Sequence, residues 1–62
     1  MYNLYKLKWL IDMLNANGRN YDILKLSSRV YCICDMSDNQ RELKSGNLAF
    51  LIWFCEWLLY IE

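Results

Sequence analysis

Asp22-Ile23-Leu24-Lys25-Leu26-Ser27-Ser28-Arg29-Val30-Tyr31-Cys32-Ile33-Cys34 is the stretch on which the fold class turns. Read as a helix, it starts at an N-cap residue type, Asp22, and carries Ile23, Leu26, Val30 and Ile33 at 3-4-3 spacing. Read as strands, residues 29–34 are rich in β-formers, and two short runs flank Ser27-Ser28. That dipeptide suits a two-residue hairpin turn poorly, because neither residue readily takes positive φ. The spacing therefore favours helix. The fold expected is an all-α bundle of three to four helices in one domain, residues 1–62. An α+β fold with a small hairpin at 22–34 is the alternative.

The segments on either side support the helical reading. Upstream, Leu4, Leu7, Leu10, Ile11 and Leu14 form an apolar stripe. The spacing predicts a helix over 4–17, capped by Asn3 and stopped by Gly18. Trp9 is expected at the edge of the core. Downstream, Ser37 and Gln40 stand at capping-box spacing, which predicts a short polar helix over 40–44. Ser45-Gly46-Asn47 then breaks the chain before the run LAFLIWFCEWLLYI, Leu48–Ile61.

That last run predicts a helix with two apolar faces. Phe50, Trp53, Phe54, Trp57 and Ile61 share one face, with Tyr60 at its edge. Leu48, Leu51, Ile52, Cys55, Leu58 and Leu59 lie roughly opposite. A surface helix of a small domain normally has one apolar stripe and one polar face. Here the aliphatic face is expected to meet the core, and the aromatic face to meet a partner. Fourteen residues rise about 21 Å, short of a bilayer core of about 30 Å, and Glu56 interrupts the run. Membrane association is not expected.

The 62 residues include seven basic and seven acidic side chains, and no histidine. The first 31 residues carry a net +3 and the remainder −3. Lys6, Lys8, Lys25 and Arg29 are the candidate contacts for an anionic partner, although the balance as a whole is not the basic footprint of a nucleic-acid binder. Nucleic acid is therefore not expected as a partner, nor is a small-molecule substrate. Without histidine the chain lacks the commonest general base and metal ligand. Cys32, Cys34 and Cys55 do not form a redox or metal spacing, and with no secretion signal in view they are expected as free thiols in a cytoplasmic protein. No catalytic residue, cofactor or metal is expected.

Surplus apolar surface in so small a chain points to binding. The expected function is a non-catalytic protein-binding module that docks Phe50, Trp53, Phe54, Trp57 and Tyr60 onto a protein partner. One version is a homodimer. Another is a small phage or mobile-element antagonist that occludes a functional surface of a larger host protein. A structural homo-oligomer and a helix-turn-helix-like regulator are the alternatives.

Overall fold

The computed structural model describes residues 3–61. Helix α1 spans Leu4–Ala16, strands β1, β2 and β3 span Tyr21–Lys25, Tyr31–Asp35 and Arg41–Gly46, and helix α2 spans Leu48–Ile61. The strands form one antiparallel sheet in the order β1-β2-β3. The protein is thus α+β, and the expectation of an all-α helical bundle is corrected.

The two helices are as the sequence predicts. Asn3 accepts a hydrogen bond from the Lys6 amide at 2.8 Å and starts α1. Asn17 closes it, and Gly18 follows at φ +92°, a left-handed position that suits glycine. Asn47 accepts from the Phe50 amide at 2.8 Å and starts α2. At Gly46 a Cβ would lie 2.7 Å from the Phe50 ring, so the entry to α2 also needs a glycine.

Residues 22–34 form a hairpin where a helix was favoured. The objection to Ser27-Ser28 as a tight turn does not apply, because the loop is longer. The Leu26 and Ser27 amides both donate to the Val30 carbonyl, at 2.8 and 3.1 Å. A loop of this length needs no residue at positive φ, and none of its residues takes one. With the turn settled, the β-formers Val30, Tyr31 and Ile33 prevail over the helical spacing.

The predicted helix over 40–44 is instead the second half of another hairpin. Asp35, not Ser37, organises the turn. Its carboxylate accepts from the Ser37 amide at 3.0 Å and the Ser37 hydroxyl at 2.6 Å. Asn39 and Gln40 then take φ of 55° and 58°, which turns the chain back. Strand β3 is polar because it is an edge strand, where Arg41, Glu42 and Lys44 discourage indiscriminate pairing.

Both helices cover the same face of the sheet, α1 over β1 and α2 over β2 and β3. Leu7, Leu10, Ile11 and Leu14 of α1 join Leu51, Ile52 and Cys55 of α2 and Tyr21 and Ile33 of the sheet in one core. Ile23, Tyr31 and Leu43 pack at its margin. The alternate strand residues Asp22, Leu24, Cys32, Cys34, Glu42 and Ser45 occupy the other face. Asn15 ties α1 to the start of β1: its side chain accepts from the Tyr21 amide at 2.8 Å and donates to the Tyr21 carbonyl at 3.1 Å. Trp9, expected at the core edge, is instead exposed, since it lies on the side of α1 away from the sheet.

Leu51 is fully buried at the centre of this core. Leu51→Ala is expected to cost about 2–5 kcal/mol, read from urea unfolding followed by circular dichroism. A loss below about 1 kcal/mol would contradict the core assignment.

Candidate functional site

Two surfaces gather chemistry-bearing side chains. The first lies on the flank of α2 beside the free edge of β3. Phe50, Trp53, Phe54 and Trp57 line a groove of about 240 Å³ together with Lys44. Within it Phe50 stacks on Trp53 and Phe54 on Trp57, with ring centroids 6.0 and 6.2 Å apart. The structure divides the predicted aromatic face. Phe54 turns inward, 9% exposed, whereas Phe50, Trp53, Trp57 and Tyr60 remain 39%, 57%, 46% and 86% exposed. Tyr60 does not line the groove.

Lys44 was not foreseen at this place. A β-bulge between β2 and β3 falls at Leu43, where Ile33 faces Lys44 and Cys34 faces Glu42. Two successive β3 residues, Leu43 and Lys44, therefore both turn toward the helices. Leu43 packs on the core, and the Lys44 ammonium lies 5.7 Å from the centre of the Phe54 ring, a cation–π contact. No feature of the sequence marks this bulge, because it is a property of pairing register.

The second surface is the end of the molecule where both helices begin. Chain direction brings it about. Strand β1 ends at Lys25 beside Tyr31, and Tyr31 pairs with Gly46, just before α2. Leu4, at the start of α1, lines a depression of about 320 Å³ with Lys8, Asp22, Ile23, Lys25 and Tyr31. On the other side of Tyr31, Ser28 and Arg29 line another of about 320 Å³ with Asn47, Leu48 and Ala49, the first turn of α2. Among the described residues, Lys8, Lys25 and Arg29 make no ion pair. The positive ends of two helix dipoles add to their field.

Of the four basic residues predicted as contacts for an anion, the fold gathers Lys8, Lys25 and Arg29 and sets Lys6 apart. Lys6 lies 3.6 Å from Glu56 of α2, and both side chains are about half exposed. Such a pair contributes about 0–1 kcal/mol. Arg19 is also elsewhere, donating to the Tyr21 hydroxyl at 2.9 Å with its guanidinium 5.9 Å from the Tyr21 ring. Tyr31, which anchors both depressions, carried only a weak sequence signal.

The cysteines are free and buried. Cys32 and Cys34 lie on the face of the sheet away from the helices, with their Sγ atoms 3.5 Å apart. Cys55 lies in the core. Burial pushes the Cys55 thiol up to about 12, helped by the charge of Glu56. Burial, then the hydrogen bond to Cys34, pushes Cys32 up to about 11. Thiols so raised are neutral near pH 7 and poor nucleophiles. Among the described residues, no three His, Cys, Asp or Glu side chains are placed to hold a metal ion. No helix among them is long and apolar enough to cross a membrane.

Fold and surfaces together define a small two-layer α+β module with a basic end and a separate aromatic flank. No family model matches the chain, and no solved structure matches it. It is similar to the ribonuclease P protein component of Onion yellows phytoplasma (strain OY-M), 40% identical over 58 residues. The match covers 87% of this chain and spans 41% of the length of that relative. This similarity stands against the expectation that nucleic acid is not a partner, since that relative is by its name a protein component of a ribonuclease.

The thiols give a testable pH dependence. In the folded chain Cys32 and Cys55 ionise at about 11 and about 12, against an ordinary value of 9.0. The unfolded chain thus loses these protons first as pH rises. The stability that neutral burial contributes is fully present below about pH 8 and declines above about pH 9. The urea midpoint is expected to fall between about pH 8 and about pH 10.5, and a Cys32→Ala, Cys55→Ala variant to lose part of that fall. An identical decline in the variant would contradict the assignment.

Proposed function

We propose that this chain is a non-catalytic RNA-binding accessory module, which holds the phosphate backbone at the end where α1 and α2 begin. The observation that carries the reading is the convergence of Lys8, Lys25 and Arg29 around Tyr31. These residues are distant in sequence, and their clustering offsets a net charge of zero for the chain as a whole. Cations and helix N-termini position phosphates, and the half-buried Tyr31 leaves part of its ring open to a base. The similarity to a ribonuclease P protein component supports RNA as the nucleic acid. Three buried free thiols fit a reducing cytoplasm. The module supplies binding and leaves any chemistry to other components.

A second reading is favoured by the half-exposed Trp53 and Trp57. Buried tryptophans are frequent anchors of protein interfaces. In this reading the aromatic flank of α2 docks onto a protein and occludes a functional surface, as a small inhibitor does. The two readings use different surfaces and are separable by mutation.

The test of the RNA reading is fluorescence anisotropy with a labelled single-stranded RNA over a range of salt. Binding through three cations is expected to give a slope of log K against log salt of about −2. Lys8→Glu with Lys25→Glu is expected to weaken binding at least tenfold, whereas Trp53→Ala leaves it unchanged. A slope near zero, or loss of binding with Trp53→Ala alone, contradicts the assignment.

A further inference from the structure

The aromatic flank of α2 and the free edge of β3 lie side by side, and three features indicate what covers them. The first is register. From the cross-strand pairs, Arg41, Leu43, Lys44 and Gly46 face the helix side, and Glu42 and Ser45 face the other. Opposite residues of an antiparallel pair must point to the same side. For a second β3 placed antiparallel to the first, one register matches all six residues. It sets Arg41 opposite Gly46, Glu42 opposite Ser45 and Leu43 opposite Lys44, so that one bulge faces the other. No like charges stand directly opposed, the arrangement that destabilises cross-strand pairs.

The second feature is distance. Helix α2 lies over both β2 and β3. With strands about 4.8 Å apart, a helix midway between β2 and β3 lies about 2.4 Å inside β3, and a two-fold axis beside β3 lies about 2.4 Å outside it. The two α2 axes then stand about 10 Å apart, within the usual 8–10 Å for packed helices. The third feature is area. At about 200 Å² per aromatic side chain, the exposed parts of Phe50, Trp53 and Trp57 give about 300 Å² per copy. The six-residue edge adds toward the roughly 500 Å² per copy at which a specific interface begins.

We propose that a second copy of this chain closes the groove, pairing β3 with β3 and α2 with α2 about one two-fold axis. The sheet becomes six-stranded, and the aromatic flanks of the two α2 helices meet above its centre. A two-fold contact of this kind is self-limiting and leaves the basic end of each copy free. The proposal is independent of the RNA reading, since no residue of the basic end takes part.

Sedimentation equilibrium of the full chain, from micromolar to millimolar, tests it. The expected result is a mass that rises from the 7.5 kDa chain to twice that value. Trp53→Ala with Trp57→Ala is expected to raise the dimer dissociation constant at least tenfold while the circular dichroism spectrum is kept. Ser45→Glu sets a carboxylate opposite Glu42 of the second copy, and is expected to do the same. Adding Glu42→Lys to Ser45→Glu sets opposite charges across that pair and is expected to restore the dimer. A monomer at every concentration overturns the proposal and assigns the flank to a foreign partner. A dimer unaffected by Ser45→Glu overturns it equally, by showing that another surface mediates association.

Discussion

Ile33 must be buried, and the two helices are arranged around that need. Ile33 sits on the central strand with no exposed surface, next to Ile23 on β1. A three-stranded sheet has little stability without a layer to cover its apolar face. Here α1 and α2 provide that layer, and they cover one face only. Leu7, Leu14, Leu51 and Ile52 are fully buried as a result. Strands β1 and β2 accordingly alternate, and β3 does so on either side of its bulge, with Asp22, Glu42 and Ser45 on the face away from the core.

That geometry leaves α2 with more apolar surface than the core can take. Its aliphatic side is used, and Phe54 turns in with it. Phe50, Trp53 and Trp57 stay on the flank, beside a strand whose outer hydrogen-bonding groups have no neighbouring strand. The same connectivity brings both helix N-termini to one end, where Lys8, Lys25 and Arg29 collect without an ion pair among the described residues. Lys6 is absent from that group because Glu56 draws it to the contact between the helices. Apolar and cationic surfaces are thereby separated, and each is suited to a different kind of contact.

Much of this was legible in the sequence, and the failures have identifiable causes. Both helices could be read, with their asparagine caps and the glycine stop at Gly18, because long amphipathic periods and cap residues are local signals. The aliphatic side of α2 was assigned correctly to the core. The sheet was legible only in part, as the alternative hairpin at 22–34, because Ile23, Leu26, Val30 and Ile33 satisfy helical spacing while only Ile23 and Ile33 lie in strands. The decisive feature, a loop closed onto the Val30 carbonyl, leaves no residue signature. Ser37 and Gln40 imitated a capping box, although they lie in a hairpin turn held by the Asp35 carboxylate. The flank was visible as an aromatic face, but Lys44 was not, since its direction is set by a bulge. The cations of the basic end could be named residue by residue, and Tyr31 only weakly as an aromatic that could stack on a base, but their assembly depended on strand order.

The two surfaces are proposed to be separate, the basic end for RNA and the aromatic flank for another protein chain. A nuclear magnetic resonance titration of the isotope-labelled chain with a short single-stranded RNA tests this most directly. Shifts are expected in the amides of Lys8, Lys25, Arg29 and Tyr31, with unchanged indole signals of Trp53 and Trp57. Shifts confined to the two indoles, with the basic end unchanged, would contradict it.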